Sequence, residues 1–324
     1  MQFKKHGFAV LFGLSLFAFT GWLLADTFLI PHTYTVVESA PQTEASAESI
    51  VRVTEAPTEP EETEAAFSEP SAEPTAAPVE PVCSDTTYSD ANISVELTTY
   101  RVADTTVYVA DVTVASSEYL KTAFADSTYG RNITETTSSI ASSVNAILAI
   151  NGDYYGAQRS GYVIRNGVLY RSSSSGSEDL VIYADGSFGI VNENDVSAEA
   201  LLEAGAWNVL SFGPALVENG TVSVTTREEV GKAMASNPRT AIGIVGQGHY
   251  VFVVADGRTN ESEGLTLYEL ATFLQSLGVE TAYNLDGGGS SSMVFLGNVV
   301  NNPVNGRNSS ERSVSDIVYI GYSA

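Results

Sequence analysis

The chain has 324 residues and carries 39 acidic side chains against 15 Lys and Arg, for a formal net charge of −24. Such an acidic protein is a poor nucleic-acid binder, because phosphate backbones need clustered Lys and Arg. The only cysteine is Cys83, so no intrachain disulfide can form, and its thiol is expected to be inert in a linker. The only histidine past it is His249, which excludes Cys/His zinc sites and argues against a Ser-His-Asp triad. Polar chemistry must therefore rest on Asp, Glu, Arg, Asn, Tyr and Ser.

Residues 1–30 are predicted to form a transmembrane signal-anchor. Gly7 to Ala25 carries no charge and is close to the about 20 residues that span a bilayer. Lys4 and Lys5 precede it and predict a cytoplasmic N-terminus. A cleaved signal peptide is the alternative. We therefore expect a single-pass protein of the cell membrane, with its C-terminal domain extracellular.

Residues 31–85 are predicted to be a disordered acidic stalk. Glu38 to Pro81 is rich in Glu, Pro, Thr, Ser and Ala and nearly lacks large apolar side chains. It cannot bury enough surface to offset the entropy of the chain, and proline with like-charge repulsion keeps it extended. The globular domain is predicted to cover residues 86–324.

The first half of this domain is predicted to consist mainly of strands. Apolar residues alternate from Ile93 to Leu97 and from Val107 to Val114, as in strands with one buried face. Helices are predicted over 117–125 and 136–144, followed by an apolar strand over 146–150. Asn166-Gly167 and Asp185-Gly186 lie between alternating segments, which is a strong signal for β-hairpins.

The second half continues this pattern. A short helix is predicted over 196–204, and strands over 209–212, 240–245, 250–255, 279–285 and 314–320. Thr266 with Glu269 forms a capping box before a helix with one apolar stripe, which Gly278 ends. The sequence thus predicts an α+β fold, a single domain with a mixed, strand-rich β-sheet core and a few short helices.

The strand over 279–285 ends in an unusual loop, in which Asp286 is followed by three glycines and three serines. Glycines let backbone N–H groups approach a ligand closely, typically an anion. Two other predicted strands also end in an acidic side chain beside a glycine, at Asp153 and at Asp256. These three strand ends suggest convergence on one pocket, although Asp153 and Asp256 alone are typical of turns.

Arginine is the main base of the domain, and Arg165, Arg239, Arg258 and Arg312 lie in or beside these segments. Arginine binds phosphate through two parallel hydrogen bonds and stays charged. For Arg312, between Glu311 and Asp316, a surface ion pair is an equal alternative. Arg239 precedes a strand that is predicted to be buried, so its charge should have a partner.

Residues 90–322 resemble the phosphodiester glycosidase family. The resemblance rests on five segments in order: Asn151 to Tyr155, Arg239 to Gly243, Asp256 to Arg258, Asn284 to Ser291 and Arg312 to Ile320. The aspartate–triglycine–serine motif is fairly specific when it occurs in order with the other four segments, whereas each motif alone is not. The resemblance implies cleavage of a sugar–phosphate diester at the anomeric carbon, which leaves free sugar and a phosphomonoester.

This chemistry suits the side chains present. A phosphomonoester is a good leaving group that needs charge stabilisation, and an oxocarbenium-like sugar needs a carboxylate as nucleophile or as base for water. Asp286 is the first candidate for that carboxylate, with Asp153 and Asp256 next; retention or inversion stays open. The expected substrate or phosphate contacts are Arg239, Gly287, Gly288, Gly289, Ser290, Asn151, Gly152, Tyr154, Arg258, Asn284 and Arg312. Tyr154 or Tyr155 could stack on a sugar, with core packing as the alternative for one of them.

The expected function is a surface-anchored hydrolase acting on a glycosyl-1-phosphodiester, such as an α-N-acetylglucosaminyl one, in an envelope or exopolysaccharide glycan. Its expected partners are this phosphorylated glycan and the membrane, without nucleic acid. The main alternative is a non-catalytic glycan-binding module at the cell surface. We expect no cofactor, although a divalent-metal phosphodiesterase stays open; it would lack the usual histidine ligands.

Overall fold

A computed structural model of the chain describes residues 3–34, 80–227 and 236–322. The helices in these ranges are α1 (Phe3–Phe28), α2 (Thr137–Ser143), α3 (Ala198–Glu203) and α4 (Leu267–Ser276). Short 3₁₀ turns lie at Ser117–Tyr119, Ala125–Ser127, Tyr155–Ala157 and Gly288–Ser290.

Strands are the main secondary structure of the described domain. In chain order they are β1 (His32–Thr33), β2 (Val82–Cys83), β3 (Thr87–Ser89), β4 (Ile93–Val102), β5 (Thr105–Val114), β6 (Leu120–Phe124), β7 (Gly130–Arg131), β8 (Leu148–Asn151), β9 (Val163–Arg165), β10 (Val168–Arg171), β11 (Glu178–Tyr183), β12 (Phe188–Asn192), β13 (Ala206–Leu210), β14 (Ala215–Glu218), β15 (Thr221–Val222), β16 (Arg239–Gly246), β17 (His249–Ala255), β18 (Thr281–Asn284), β19 (Met293–Phe295), β20 (Asn298–Val299), β21 (Val304–Asn305), β22 (Asn308–Ser309) and β23 (Asp316–Ile320).

A nine-stranded sheet forms the centre, in the order β15-β14-β18-β16-β17-β5-β4-β3-β2. Its middle strands are buried on both faces, which explains the nearly continuous apolar run of β17. Phe252 and Val254 face one core cluster, whereas Val251 and Val253 face another that α4 completes with Leu270. Each such side chain contributes about 1.5–3 kcal/mol by leaving water, so the sheet has apolar cover on both faces.

Two five-stranded sheets pack around this centre, in the orders β10-β9-β13-β11-β12 and β20-β19-β8-β23-β6. Leu180 and Leu210 of the first and Ile150 and Val318 of the second join the core cluster that includes Phe252. Helix α3 packs against the first sheet and α2 against the second. The strand-rich core with few helices that the sequence predicts is confirmed.

The prediction of a mixed sheet is wrong, because every strand pairing among the described residues is antiparallel. Hairpins such as β9–β10, β11–β12 and β16–β17 join neighbours directly, and a tight turn can only join antiparallel strands.

The helix predicted over 117–125 is also wrong. The segment begins as a 3₁₀ turn and continues as β6, which pairs with β23 from Leu120 to Phe124. Leu120 and Thr122 are buried, so the tertiary pairing overrides the local helical pattern. By contrast, α2, α3 and α4 lie where they are predicted. The capping box of α4 is present, with reciprocal hydrogen bonds between Thr266 and Glu269.

The N-terminal segment differs from its prediction. Gly7 to Ala25 lies within α1, but within the described ranges no helix has the length and apolar character to cross a bilayer. The transmembrane prediction is therefore not supported. Most of the predicted stalk, residues 35–79, lies outside the described residues. Its two ends contribute strands to the domain, since β1 pairs with β7 and β2 with β3. The boundary at residue 86 stays a prediction.

Candidate active site

A cavity of about 560 Å³, which we call the main cavity, lies where strands of several sheets end. Antiparallel register produces this convergence: Arg239 at the start of β16 pairs with Ala255 at the end of β17, and β18 runs beside β16 toward Asp286. The loops after β8 and β13 contribute the other walls. The lining residues are Tyr154, Tyr155, Gln158, Ser160, Arg171, Ser175, Ser177, Ser211, Phe212, Asn237, Arg239, Arg258, Asp286, Gly287, Gly288, Gly289 and Arg312.

Among the described residues that line the cavity, Asp286 is the only one with a carboxylate, and only 9% of its surface is exposed. One of its oxygens, Oδ2, accepts hydrogen bonds from Ser290 Oγ at 2.5 Å and from the Arg312 guanidinium at 3.2 Å. Arg312 also donates to the Ser290 hydroxyl. Burial raises the pKa of Asp286 above its ordinary value, whereas Ser290 and Arg312 oppose the shift. A carboxylate held this way is desolvated and oriented toward the cavity.

The glycine loop after Asp286 is a 3₁₀ turn rather than an open cradle. Gly288 has φ of 63°, and a Cβ there would lie 2.9 Å from the Arg258 guanidinium. Its N–H donates to Pro238 O at 2.8 Å, and the N–H of Ser290 donates to Gly287 O at 3.2 Å. These two N–H groups are therefore already used within the protein. Gly288 lets Arg258 approach the loop closely.

Two further arginines line the cavity beside this loop. Arg239 is buried, and its Nε donates to Leu265 O at 2.9 Å. Burial, together with the nearby positive charge of Arg258, lowers the pKa of Arg239 to about 10. Arg258 is held by Asn237 Oδ1 at 2.9 Å. An anion placed between these guanidinium groups would relieve both their repulsion and their desolvation.

Asn151 and Asn284 lie behind the cavity wall. The buried Asn151 amide donates to Asp286 O at 2.6 Å, and its Oδ1 accepts from Thr240 Oγ1 at 2.8 Å. Asn284 donates to Gly213 O at 2.7 Å. Both residues are predicted as substrate contacts, but the structure places them where they fix the backbone around Asp286. Sequence spacing gives no signal for this difference, since both positions end strands.

Asp153 belongs to a buried ionic cluster next to the cavity. Arg165 donates to Asp153 Oδ2 at 2.8 Å and to Asp316 Oδ2 at 2.9 Å. Backbone N–H groups of Ser211 and Tyr155 bind the Asp153 oxygens at 2.9 Å each. Burial raises the pKa of Asp316 to about 8, with a further contribution from the charge of Asp153. Three donors thus occupy Asp153, in an arrangement typical of a structural anchor.

Gly152 lets this cluster form, because a Cβ at this position would collide with the Asp316 carboxylate. A smaller cavity of about 100 Å³ lies on the same side and is lined by Asp153, Asp286, Ser290 and Arg312 among others. Asp153 and Ser290 therefore border the site but do not line the main cavity.

Asp256 lies at the same sheet edge as Arg239 but is bonded elsewhere. Its oxygens accept from the backbone N–H of Asn302 at 2.9 Å and from the Asn302 side chain at 3.0 Å. Asn301 and Tyr108 are further partners at 3.4 Å. Asp256 does not line the main cavity. Its contacts fix the loop over residues 301–302, as expected of a turn aspartate.

A serine loop over residues 172–177 forms a wall that the sequence analysis missed. Glu193 is buried beneath it and accepts from Ser175 Oγ and from the N–H of Gly176, both at 2.8 Å. Desolvation alone would raise the pKa of Glu193, but these hydrogen bonds lower it overall. Ser175 and Ser177 line the cavity. The run of serines with one glycine was the available signal, since it repeats the composition of the loop after Asp286.

Among the described residues, no group of three or more His, Cys, Asp or Glu side chains is placed to hold a metal ion. Among the described residues, polar contact with a ligand in this cavity falls to Asp286, to four arginines (Arg171, Arg239, Arg258 and Arg312), and to the serine hydroxyls and other polar side chains of the wall.

Comparison with known proteins supports this picture. The sequence model of the phosphodiester glycosidase family matches residues 144–321. A prophage-derived uncharacterized protein of Bacillus subtilis, YomE, is 32% identical over 60% of this chain and 31% of its own length. The N-acetylglucosamine-1-phosphodiester alpha-N-acetylglucosaminidase of Mus musculus is 31% identical over 44% of this chain and 30% of its own length. The chain thus spans about a third of these curated relatives.

Solved structures show the same fold. The zebrafish N-acetylglucosamine-1-phosphodiester alpha-N-acetylglucosaminidase catalytic domain superposes with a TM-score of 0.56 at 22% identity, covering 71% of this chain and 83% of that one. A hypothetical protein from Synechocystis gives 0.55 at 16% identity, covering 71% and 62%.

The sequence match and the fold indicate the same class of protein. Because the matched range covers more than half of the chain, the protein belongs to the phosphodiester glycosidase family.

Proposed function

We propose that the main cavity hydrolyses a glycosyl-1-phosphodiester at its anomeric carbon. The bond between C1 and the bridging phosphate oxygen breaks, the oxygen of water bonds to C1, and the products are free sugar and a phosphomonoester. The observation that carries the proposal is one buried carboxylate, Asp286, that shares a cavity with Arg239, Arg258 and Arg312. A cation-stabilising group and anion-stabilising groups on one cavity match the two charges that separate during this reaction.

Asp286 is proposed to stabilise the positive charge that develops at C1, directly or through water. The ionised form is needed for this role. Since burial raises its pKa, kcat is expected to fall as the pH drops through that raised value. The hydrogen bonds from Ser290 and Arg312 occupy only Oδ2, so Oδ1 is proposed as the oxygen that faces C1 or the water.

The arginines are proposed to bind the phosphate as it leaves. Arg239 and Arg258 are proposed to face the phosphate from one side. The positive charges of the two arginines repel each other, which contributes to the lowered pKa of Arg239. The leaving group gains negative charge in the transition state, so these contacts strengthen as the reaction proceeds. Tyr154, 43% exposed at the cavity, is proposed to contact the sugar ring.

The substrate is proposed to be an α-N-acetylglucosaminyl phosphodiester, because the curated mouse relative is named for that activity. Its source is proposed to be an envelope or exopolysaccharide glycan that the enzyme meets outside the cytoplasm. The single-pass location with an extracellular domain stays a prediction. It would be tested by treating intact cells with a protease and measuring whether the domain is digested.

The test compares kcat and KM of the wild type and of Asp286→Asn on a synthetic α-N-acetylglucosaminyl-1-phosphodiester. Asp286→Asn keeps the shape and removes the charge, so kcat should fall about a hundredfold or more, as for other key electrostatic groups. KM should change far less, because the charge matters most when the oxocarbenium ion forms.

Asp256→Asn is the matched control, since this aspartate also ends a strand but lies off the cavity; its kcat should stay within a few-fold of wild type. Near-normal kcat for Asp286→Asn, with loss in Asp153→Asn, would move the catalytic role to Asp153. A wild type that binds the diester without turnover would favour the glycan-binding module.

A further inference from the structure

A second cavity of about 400 Å³ adjoins the main one. The two cavities share Arg171 and Gln158 as lining residues. The second, which we call the side cavity, is also lined by Tyr34, Tyr129, Tyr170, Arg131 and Arg159. A ligand that extends from the main cavity across Arg171 therefore enters the side cavity. Its walls come from segments distant in sequence, which β1–β7 pairing brings together.

The charges that line the side cavity suit a negatively charged ligand. Among the described residues, three arginines line this cavity and no Asp or Glu does, although the chain as a whole has 39 acidic residues against 15 basic ones. None of the three forms an ion pair with a carboxylate among the described residues. Arg131 is only 9% exposed, and its buried Nε has no hydrogen-bond partner within the described part of the chain. A buried guanidinium in this state is stabilised by an anionic ligand.

Arg171 at the junction is held by backbone carbonyls. Its Nε donates to Gly161 O at 2.6 Å, and its NH1 donates to Gln158 O at 2.9 Å and Tyr155 O at 3.1 Å. These bonds fix the guanidinium without neutralising it, and burial lowers the pKa of Arg171. A preorganised cation at the junction suits a ligand that carries charge on both sides of it.

Aromatic rings cover the rest of the side cavity. The Tyr129 ring lies 5.0 Å from that of Tyr170 and 5.9 Å from that of Tyr34, measured between centroids. Tyrosine offers an apolar face with a polar tip, which suits a sugar ring that has apolar C–H faces and peripheral hydroxyls. Tyr34 is 46% exposed, so this face is accessible from solvent.

We propose that the side cavity is a subsite for a second phosphodiester-linked sugar unit of the same substrate molecule. The main cavity holds the unit that is cleaved, and the side cavity holds its charged neighbour. The substrate class is then a polymer or oligomer of sugars joined through phosphodiesters, rather than a single capped sugar phosphate. This inference rests on the proposed function, because it extends the substrate of the same site.

The test uses the full-length protein and two non-cleavable probes, phosphonate analogues that carry one or two α-N-acetylglucosaminyl units. Titration calorimetry should show the two-unit analogue binding about tenfold more tightly, as expected for one further charge-assisted contact. Arg159→Gln should remove this gain and leave the one-unit affinity unchanged. Arg159 is exposed, so the variant should fold. Arg101→Gln, at an exposed arginine of β4, is the matched control and should leave both affinities unchanged.

Hydrolysis of the matching one- and two-unit diesters separates this inference from the proposed reaction. Cleavage of the one-unit diester with no gain for two units, in binding or in kcat/KM, would overturn the subsite and leave the reaction standing. Arg159-dependent tighter binding of two units without cleavage of either would support the subsite and overturn the reaction. Failure of both analogues to bind would overturn both.

Discussion

Asp179 on β11 is a buried carboxyl group whose replacement should stabilise the protein. Asp179 is 0% exposed, and neither of its carboxyl oxygens has a hydrogen-bond partner among the described residues. Burial, together with the negative charge of Glu193, raises the pKa of Asp179 to about 9. The group is therefore neutral in the folded protein at pH 7 and ionised in the unfolded chain, so folding takes up a proton.

The direction of the pH effect follows from that raised pKa. The stabilising contribution of Asp179 is fully present below its ordinary value of 3.8 and is lost as the pH rises through about 9. One pH unit corresponds to about 1.4 kcal/mol, so the interval from 3.8 to pH 7 corresponds to about 4 kcal/mol. Asp179→Asn removes the titrating group, and with it the uptake of a proton on folding, and keeps the shape of the side chain. Its free energy of unfolding at pH 7 should exceed that of the wild type by a few kcal/mol.

The assay is denaturant unfolding of both proteins at pH 5, 7 and 9. The advantage of Asp179→Asn should be smallest at pH 5 and grow toward pH 9. Glu193 has a lowered pKa and contributes the opposite slope at low pH. Because Glu193 and Asp179 interact, the two proteins are compared at pH 5 and above, where Glu193 is ionised. Asp195→Asn, at an exposed position nearby, should change nothing. An Asp179→Asn variant without added stability at any pH would refute the reasoning.

Two further substitutions test the arginines. Arg239→Lys should lose much of the rate and weaken inhibition by inorganic phosphate in parallel, because lysine cannot form the bidentate fork; a folded variant with both properties unchanged would make Arg239 structural. Arg165→Gln should lower the free energy of unfolding by about 3–5 kcal/mol, because it leaves Asp153 and Asp316 buried without their cation. In denaturant unfolding the loss should shrink as the pH falls, because removal of Arg165 raises the already raised pKa of Asp316 further and a protonated carboxyl group needs no cation; a loss that persists undiminished at acidic pH would argue against a charge effect.

Local signals in the sequence determine a large part of this fold. The hairpins at Asn166-Gly167 and Asp185-Gly186 and the capped helix α4 depend on neighbouring residues, whose turn and capping chemistry acts within a few positions. The helix predicted over 117–125 failed for the opposite reason. Its pairing partner, β23, lies almost 200 residues further along the chain, and a local pattern carries no information about it.

In the candidate site, too, some features follow from the sequence and others only from the tertiary structure. The sequence by itself singles out Asp286 with its glycines, and places Asp153 and Asp256 beside it as similar strand ends. Only the tertiary structure separates the three. Asp286 faces the cavity, Asp153 is bound by Arg165 and two backbone N–H groups, and Asp256 holds Asn302. Side-chain direction and the partners that meet each carboxylate decide this difference, and both depend on how the sheets pack.

The side cavity is the clearest case of a feature that only tertiary structure creates. Tyr34, Arg131 and Arg171 lie about a hundred and forty positions apart at their extremes, and none of them stands in a recognisable motif. Their meeting depends on the pairing of β1 with β7 and on the hairpin that carries Arg171. Sequence determines which short segments can form strands and turns, because those preferences are local. The packing of distant segments decides which charges share a cavity, because burial and electrostatic contact are properties of the assembled fold.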